Sequence, residues 1–321
     1  MRRAATTALL VVGLAWPLAP AQADETVVVP GTTFPTTSTY LTWFGCDSLY
    51  ESGEGPVSTV VLDDDAPLGR RAAGLDQPAT GAAAGPVSLV ASVAGASHDL
   101  SVRAAAGSTG VAWVWYLAPD MAAGEVWAGR ADLVAGVDGW QQLDPATASY
   151  AWSRVEAATG AVRETVRPTT LDDFTAERGD GPGYLLSGMG CDGQAFALDR
   201  VRVGIPGAVT TYDLEASPVT TSAAASHDRV TAGDEVVLSG ASTDASGRSM
   251  GSALVLEARR QGDAEFGPVT DELVAGPDGT VVATVAPEVS TDYRWFFGER
   301  PYADAHWSPV VRVTVEQPAG R

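Results

Sequence analysis

The stretch Val-Ala-Trp-Val-Trp-Tyr at residues 111–116 carries the clearest signal of the fold. Successive side chains of an extended strand point to opposite faces, so Val111, Trp113 and Trp115 share one face and three further apolar side chains share the other. A strand that is apolar on both faces is typical of the centre of a β-sandwich. The stretch therefore predicts a central strand.

Similar short runs recur on both sides of this stretch, separated by clusters of Gly, Pro, Asp and Ser. They are alternating or β-branched in character, which is typical of an all-β protein. Examples are TSTYLTWFGC (37–46), GPVSLVASV (85–93), GEVWAGRADLV (124–134) and QAFALDRVRVG (194–204).

One segment has the pattern of a helix instead. The run TTLDDFTAERGDG (169–181) offers Thr170 as an N-cap and Gly179 as a C-cap, with Leu171 and Phe174 on one face. It predicts a two-turn helix that links two strands.

Residues 1–23 have the pattern of a secretory signal peptide. Arg2 and Arg3 precede an apolar run over 4–18, and Ala21-Gln22-Ala23 forms a small-x-small cleavage site. The run is shorter than the about 20 residues that cross a bilayer. We therefore expect a secreted, extracellular protein without a membrane span, beginning near Asp24.

Composition argues against two classes of partner. The formal net charge is −20, with 40 acidic residues against 20 basic ones. Nucleic acids and anionic membranes repel such a surface, so neither is an expected partner.

The chain has two cysteines, Cys46 and Cys191. Two cysteines in an exported chain usually form a disulfide. Zinc would need about four ligands, and no neighbouring cysteine or histidine supplies them. Free thiols and a nucleophilic cysteine stay open as alternatives to the disulfide.

A domain boundary is expected after the strand run that ends at Gly204. Pro206 and Gly207 follow it, and then a segment rich in Ser, Thr and Ala. We predict two β-sandwiches in series, over residues 24–207 and 213–317, joined by a short linker.

The second of these blocks resembles the bacterial immunoglobulin-like or fibronectin-type modules of secreted actinobacterial proteins. The residues that carry the resemblance are VTAGDEVVLSGAS (230–242), ALVLEARRQG (253–262), GPDGTVVATVAPEVSTDYRWFFGE (276–299) and SPVVRVTVE (308–316). The resemblance implies an immunoglobulin-like sandwich, here without a cysteine and so without an internal disulfide.

The first block is similar to jelly-roll lectin-like or carbohydrate-binding modules, mainly through the run at 194–204. The matching positions are Phe196, Asp199, Val201, Val203 and Gly204. Arg200 stands where a second aspartate is common, so no metal role passes to Asp199. The resemblance implies neighbouring first and last strands, which brings Cys46 and Cys191 within bridging distance.

Two Ser-His-Asp sequences, at 97–99 and 226–228, are not catalytic triads. Consecutive residues of a strand point to opposite faces and cannot converge on one nucleophile. Both sequences directly precede predicted strands, where such residues are ordinary in turns. His306 is expected in a surface loop. No catalytic residue is predicted.

The acidic run Asp63-Asp64-Asp65 has two interpretations. It could bind calcium together with Asp47 or Asp192, since calcium takes several oxygen ligands. A solvated turn is the favoured interpretation because no calcium-loop pattern is present. No metal and no cofactor are predicted.

Tryptophan is the one residue type that points to a ligand. Sugar rings stack on exposed aromatic faces, although aromatic side chains also fill sandwich cores. Trp140, in VDGWQQLD (137–144), and Trp127 are the predicted exposed residues and the candidate ligand-binding positions.

These patterns predict a secreted, non-catalytic protein for binding or adhesion, with a polysaccharide or cell-wall glycan as partner. One alternative is a structural envelope-associated protein whose partners are extracellular proteins. Another is a glycan hydrolase or lyase on a jelly-roll scaffold.

Overall fold

The structure, a computed structural model, describes residues 24–50 and 53–316. The predicted signal peptide, residues 1–23, lies outside the described residues. The elements up to residue 215 are, in chain order, β1 (Glu25–Pro30), β2 (Thr39–Gly45), β3 (Val57–Leu62), β4 (Arg71–Asp76), β5 (Ala82–Val90), β6 (Ser97–Ala104), β7 (Thr109–Tyr116), β8 (Glu125–Val134), β9 (Gly139–Leu143), β10 (Ser149–Glu156), β11 (Val162–Thr170), α1 (Leu171–Arg178), β12 (Gly183–Met189), β13 (Phe196–Ile205) and β14 (Ala208–Glu215).

The elements of the remaining described chain are all short strands. They are β15 (Val219–Ala225), β16 (Arg229–Thr231), β17 (Val236–Asp244), β18 (Val255–Arg260), β19 (Gly267–Pro268), β20 (Thr280–Val285), β21 (Thr291–Phe297), β22 (His306–Trp307) and β23 (Val311–Glu316).

Two sheets of seven strands each form the first sandwich. In the first sheet β13 pairs with β6 along one side, and with β4 and then β14 along the other. Strand β3 flanks β4, β9 flanks β6, and β1 pairs with β14 in parallel. The second sheet is antiparallel, in the order β11-β10-β8-β7-β12-β5-β2.

The core of the first sandwich lies between these two sheets. Ala112, Val114 and Tyr116 of β7 point into it, so the prediction of a central strand at 111–116 is confirmed. The rings of Trp152 and Phe174 stack at 4.0 Å between centroids, with an interplanar angle of 5°.

Helix α1 covers one end of this core, as its sequence predicts. The Thr170 hydroxyl accepts a hydrogen bond from the Asp173 amide at 3.2 Å, and Gly179 ends the helix with a positive φ of 88°. Leu171 and Phe174 are buried beneath it. The helix connects β11 to β12, so the linking helix is confirmed.

The second sandwich has its own apolar core, built around Trp295. One sheet has the order β15-β17-β20, and the other has the order β16-β23-β21-β18-β19 with β22 beside β21. Leu238 and Val281 of the first of these sheets pack with Leu256 and Trp295 of the second. Together with the first sandwich, this confirms the all-β prediction.

The segment that was expected to be a linker is largely strand. Residues 213–215, assigned from sequence to the second domain, belong to β14 and pair with β1 in the first sandwich. The Ser/Thr/Ala-rich run at 219–225 is β15. Only residues 216–218 separate the two strands, because Tyr212 and Leu214 turn into the first core and hold β14 there. The division into two domains stays a prediction.

Candidate ligand-binding groove

A row of apolar side chains crosses the face of the second sheet that points away from the core. Leu89 lies opposite Tyr184, Tyr184 opposite Trp115, and Trp115 opposite Ala128. Directly opposed residues of antiparallel strands point to the same face, so the row is continuous over β5, β12, β7 and β8. Tyr184 is 40% exposed and Trp115 is half-buried.

A small apolar cluster supports this row from one side. Its buried members are Phe44, Cys46, Ala83, Val87, Val111, Trp113 and Leu186. The indole N–H of Trp113 donates to the Gly45 carbonyl at 3.0 Å, which fixes the ring against the end of β2. The face is therefore well packed, although no second sheet of the described residues covers it.

The loop formed by residues 46–50 rises beside the row and makes a wall. Cys46, at its start, forms a disulfide with Cys191, so the predicted pairing is confirmed. The implied pairing of the first and last strands is wrong, because β2 lies in the second sheet and β13 in the first. The two cysteines lie beyond the strand ends, on either side of Gly81. The Cys46 amide donates to the Gly81 carbonyl, and the Gly81 amide donates to the Cys191 carbonyl, both at 2.9 Å.

Tyr50 closes the far end of this wall. Its hydroxyl donates to the Ala157 carbonyl at 2.9 Å, and its ring meets Trp115 edge-on at 6.1 Å. Gly160 makes room for the ring, since a Cβ at that position would come within 2.6 Å of it. Partial burial raises the pKa of the Tyr50 hydroxyl, and a backbone hydrogen bond with Gly160 opposes only part of this rise. The hydroxyl is therefore neutral at pH 7.

Two depressions lie along the row and share Trp115. The first, of about 270 Å³, is lined by Asp47, Ser48, Leu49, Tyr50, Trp113, Trp115, Ala128, Arg130, Ala151, Ser153, Val155, Gly160 and Val162. The second, of about 200 Å³, is lined by Leu89, Trp115, Tyr116, Leu117, Val126, Pro182, Gly183 and Tyr184. We call the two together the groove.

Arg130 stands at one end of the groove and contacts three groups. Its Nε donates to the Cys46 carbonyl at 2.7 Å. Its other nitrogens pair with Asp132 at 2.8 Å and with Asp47 at 3.6 Å. These contacts tie the start of the loop wall to β8.

The indole N–H of Trp115 is buried and has no hydrogen-bond partner among the described residues. An unpaired buried donor costs about 1–3 kcal/mol. The unpaired donor therefore belongs to Trp115, the residue that lines both depressions.

The structure places the two predicted ligand-binding tryptophans elsewhere. Trp127 is 1% exposed, and its ring meets Phe174 edge-on in the core, so its predicted exposure is wrong. Its neighbour Val126 takes the outward position on β8 and lines the groove. Because α1 covers the inward face at this point, the larger side chain packs inside.

Trp140 lies on the first sheet, on the opposite side of the sandwich from the groove. It is half-buried beneath Arg103, whose guanidinium lies 5.5 Å from its ring. Its N–H donates to Asp63 at 2.9 Å. The two predicted positions therefore do not form one site, and the groove residues Trp115 and Tyr184 were missed. The three large apolar side chains on one face of residues 111–116 were the available signal.

The structure places the two Ser-His-Asp sequences in different settings. Residues 97–99 lie within β6 rather than before a strand, which corrects their predicted place. His98 points inward and Asp99 outward to Arg200 at 2.8 Å. Residues 226–228 do lie in the connection between β15 and β16. His306 lies in the short strand β22 instead of a loop, because it pairs with Phe297.

The acidic run at 63–65 forms a turn, with Asp63 mostly buried rather than solvated. Its carboxylate accepts from the Asp65 amide at 3.1 Å and pairs with Arg103. Asp47 and Asp192 have other partners, in Arg130 and in the Thr109 amide. Within residues 24–50 and 53–316, no three His, Cys, Asp or Glu side chains are arranged to hold a metal.

Comparisons with known proteins assign no family. No known family matches the sequence, and no curated protein does either. A family 11 carbohydrate-binding module from Clostridium thermocellum, solved with a β-1,3-1,4-mixed-linked tetrasaccharide, is 9% identical with a TM-score of 0.26. The match covers 53% of this chain and 90% of that one.

The Escherichia coli adhesin FdeC is a second structure with some likeness. It is 14% identical with a TM-score of 0.21, and the match covers 67% of this chain and 65% of that one. Values this low do not assign a function. In the described part of the chain, no helix has the length and apolar character needed to cross a membrane.

Proposed function

We propose that this chain is a non-catalytic extracellular binding protein that holds a glycan in the groove of its second sheet. The observation that carries the proposal is the position of Trp115, half-buried between two adjoining depressions on an uncovered sheet face. The disulfide between Cys46 and Cys191 supports an oxidising, extracellular location.

A glycan fits the chemistry of this surface. Sugar rings present apolar C–H faces and a rim of hydroxyl groups, and aromatic side chains offer flat apolar area with polar edges. Trp115 and Tyr184 supply that area on neighbouring strands. Ser48 and Ser153 supply hydroxyl groups at the edge of the first depression. Binding sites of this kind combine apolar walls with a few polar groups.

The non-catalytic part of the proposal rests on the acids around the groove. Glycoside hydrolysis commonly uses two carboxyl groups on either side of the scissile bond. Among the described lining residues, Asp47 supplies the only carboxylate, and it pairs with Arg130 at 3.6 Å. This lining supports a binding role for the groove.

The test is retention of the purified protein on insoluble polysaccharides and bacterial cell walls, with bound protein quantified. We expect saturable retention that weakens about tenfold or more in Trp115→Ala and in Tyr184→Ala, since each removes stacking area. Tyr184 is the more exposed of the two, so its variant keeps the test informative if Trp115→Ala folds poorly.

Two matched variants serve as controls. Trp307→Ala removes an exposed tryptophan from the second sandwich, and Trp140→Ala removes a half-buried tryptophan from the opposite side of the first. Both are expected to bind like the native protein. Retention that is lost in Trp140→Ala but kept in Trp115→Ala and Tyr184→Ala would move the site to the first sheet. No retention on any surface contradicts the proposal.

A protein partner is the second candidate, and a different surface favours it. In the second sandwich Arg294 lies 4.1 Å from the ring of Phe266 and 5.1 Å from that of Trp307. Glu257 fixes the arginine at 2.7 Å. Arginine and tryptophan are enriched in protein interfaces. Cross-linking to extracellular proteins that is lost in Trp307→Ala, with no glycan retention, would favour this function.

A further inference from the structure

We infer that the groove selects uncharged glycans over glycans that carry carboxylate, sulfate or phosphate groups. This inference rests on the proposed function and names the class of ligand for that site. It comes from the charges that line the groove and from the way each of them is already engaged.

The second depression offers nothing to a charged group. Its eight lining residues include no charged side chain, and the exposed large side chains among them are Leu89, Leu117 and Tyr184. An ion placed there would lose part of its hydration shell without gaining a charged partner, which is unfavourable. This half of the groove accepts C–H faces and hydroxyl groups only.

Among the described lining residues of the first depression, Arg130 is the one cation, and each of its three nitrogens has a contact. Nε bonds to the Cys46 carbonyl, and the two terminal nitrogens pair with Asp132 and Asp47. An anionic ligand would have to compete with these two carboxylates for the guanidinium and would be repelled by them. The positive charge of Arg130 is therefore already balanced locally.

The charge of the protein surface around the groove also disfavours anionic ligands. The chain carries a formal net charge of −20, and Asp47, at the mouth of the groove, is exposed. Like charges brought together at an interface weaken binding and slow the encounter. An acidic polysaccharide is therefore disfavoured both in approach and in the bound state.

The experiment compares retention by neutral and anionic polymers in affinity gels. The neutral set is mixed-linkage β-glucan, xyloglucan and galactomannan, and the anionic set is polygalacturonate, alginate, hyaluronan and carboxymethylcellulose. The neutral polymer that retains the protein most is then oxidised at its primary hydroxyl groups, which adds carboxylates to the same backbone. We expect the oxidised form to bind at least about tenfold more weakly than the neutral form.

The outcomes distinguish a failure of the charge-selectivity inference from a failure of the proposed glycan-binding function. Preferred retention by an anionic polymer, lost in Trp115→Ala and Tyr184→Ala, leaves the glycan site in place and overturns the inference. Equal binding of the oxidised and neutral forms also overturns it. Retention by neither set overturns both the function and the inference.

A charge variant tests the physical cause. Asp47→Asn with Asp132→Asn removes both carboxylate partners of Arg130 and leaves its side chain in place. We expect the ratio of neutral to oxidised binding to fall severalfold in this double variant. Discrimination as strong as in the native protein would show that the engaged arginine does not set the selectivity.

Discussion

His98 and Ser187 join the two sheets of the first sandwich through a hydrogen bond of 2.6 Å between imidazole Nε2 and hydroxyl Oγ. His98 lies on β6 and Ser187 on β12, and both are buried. The other ring nitrogen of His98 is buried without a partner among the described residues. Burial lowers the pKa of His98 to about 4. The imidazole is therefore neutral at pH 7.

We expect the protein to lose stability as the pH falls from about 6.5 towards 4. In the unfolded chain His98 takes up a proton near its ordinary pKa of 6.5, whereas the folded core resists that proton until about pH 4. The unfolded state binds more protons in this window, so the free energy of unfolding falls, by about 3 kcal/mol in all. Urea unfolding at pH 7.5 and 4.5, for native protein and His98→Gln, measures the effect.

Asp199 changes the stability with pH in the opposite direction to His98, so the two contributions have to be measured separately. Burial raises the pKa of Asp199 to about 6, despite bonds from the Leu68 and Leu214 amides. Its contribution to stability is present below about pH 3.8 and is lost as the pH rises through about 6. The difference between native and His98→Gln isolates the histidine. A difference that is the same at both pH values contradicts the prediction.

Trp127→Ala should destabilise the protein without touching the groove. The indole is fully buried against Phe174, and removing it leaves a cavity in the core. Such truncations cost about 3–5 kcal/mol. We expect a lower thermal midpoint together with native glycan affinity for the folded fraction. Trp140→Ala, from a half-buried surface position, should cost less.

The disulfide should matter for binding as well as for stability. Cys46 and Cys191 are 145 residues apart, and cross-links of this kind stabilise by about 2–5 kcal/mol. The bond also anchors the loop wall at 46–50, which carries Asp47 and Tyr50 into the groove. The double Cys→Ser variant is expected to melt earlier and to bind glycan more weakly at temperatures where circular dichroism shows it folded. Native affinity in that folded state would exclude a role for the disulfide in shaping the groove.

The contrast between Trp113 and Trp127 shows how far sequence patterns reach in this fold. Alternation identifies both as strand residues, and the capping residues Thr170 and Gly179 identify the ends of α1, because these features are local. It does not say which face of a strand a second sheet or a helix covers. Trp127 faces α1 and is buried, whereas Trp113 faces outward under the loop at 46–50.

The groove and β14 were not predictable for a related reason. The first depression has its wall because a disulfide beside Gly81 anchors a distant loop near β7, which is a long-range event. Strand β14 was assigned to a linker because its Ser/Thr/Ala-rich surroundings resemble one. It stays in the first sheet because it pairs with β1, which is far from it in sequence.

Arg71 should be important for the contact between the two sandwiches. Its side chain is 1% exposed at the start of β4 and reaches Glu215 of β14 at 3.3 Å. From the second sandwich it meets Asp304 at 2.9 Å and the Pro301 carbonyl at 2.9 Å. Arg71→Ala leaves these acceptors without their shared donor, and we expect a loss of about 2–3 kcal/mol.

Arg71→Lys is the matched variant for this prediction. Lysine keeps the charge but cannot present the planar fork that reaches a carboxylate and a carbonyl together. We expect it to recover only part of the lost free energy in urea unfolding. Small-angle scattering should show a larger radius of gyration for Arg71→Ala than for the native protein, since the sandwiches then move more freely. An unchanged radius together with unchanged stability would mean that Arg71 does not hold the two sandwiches together.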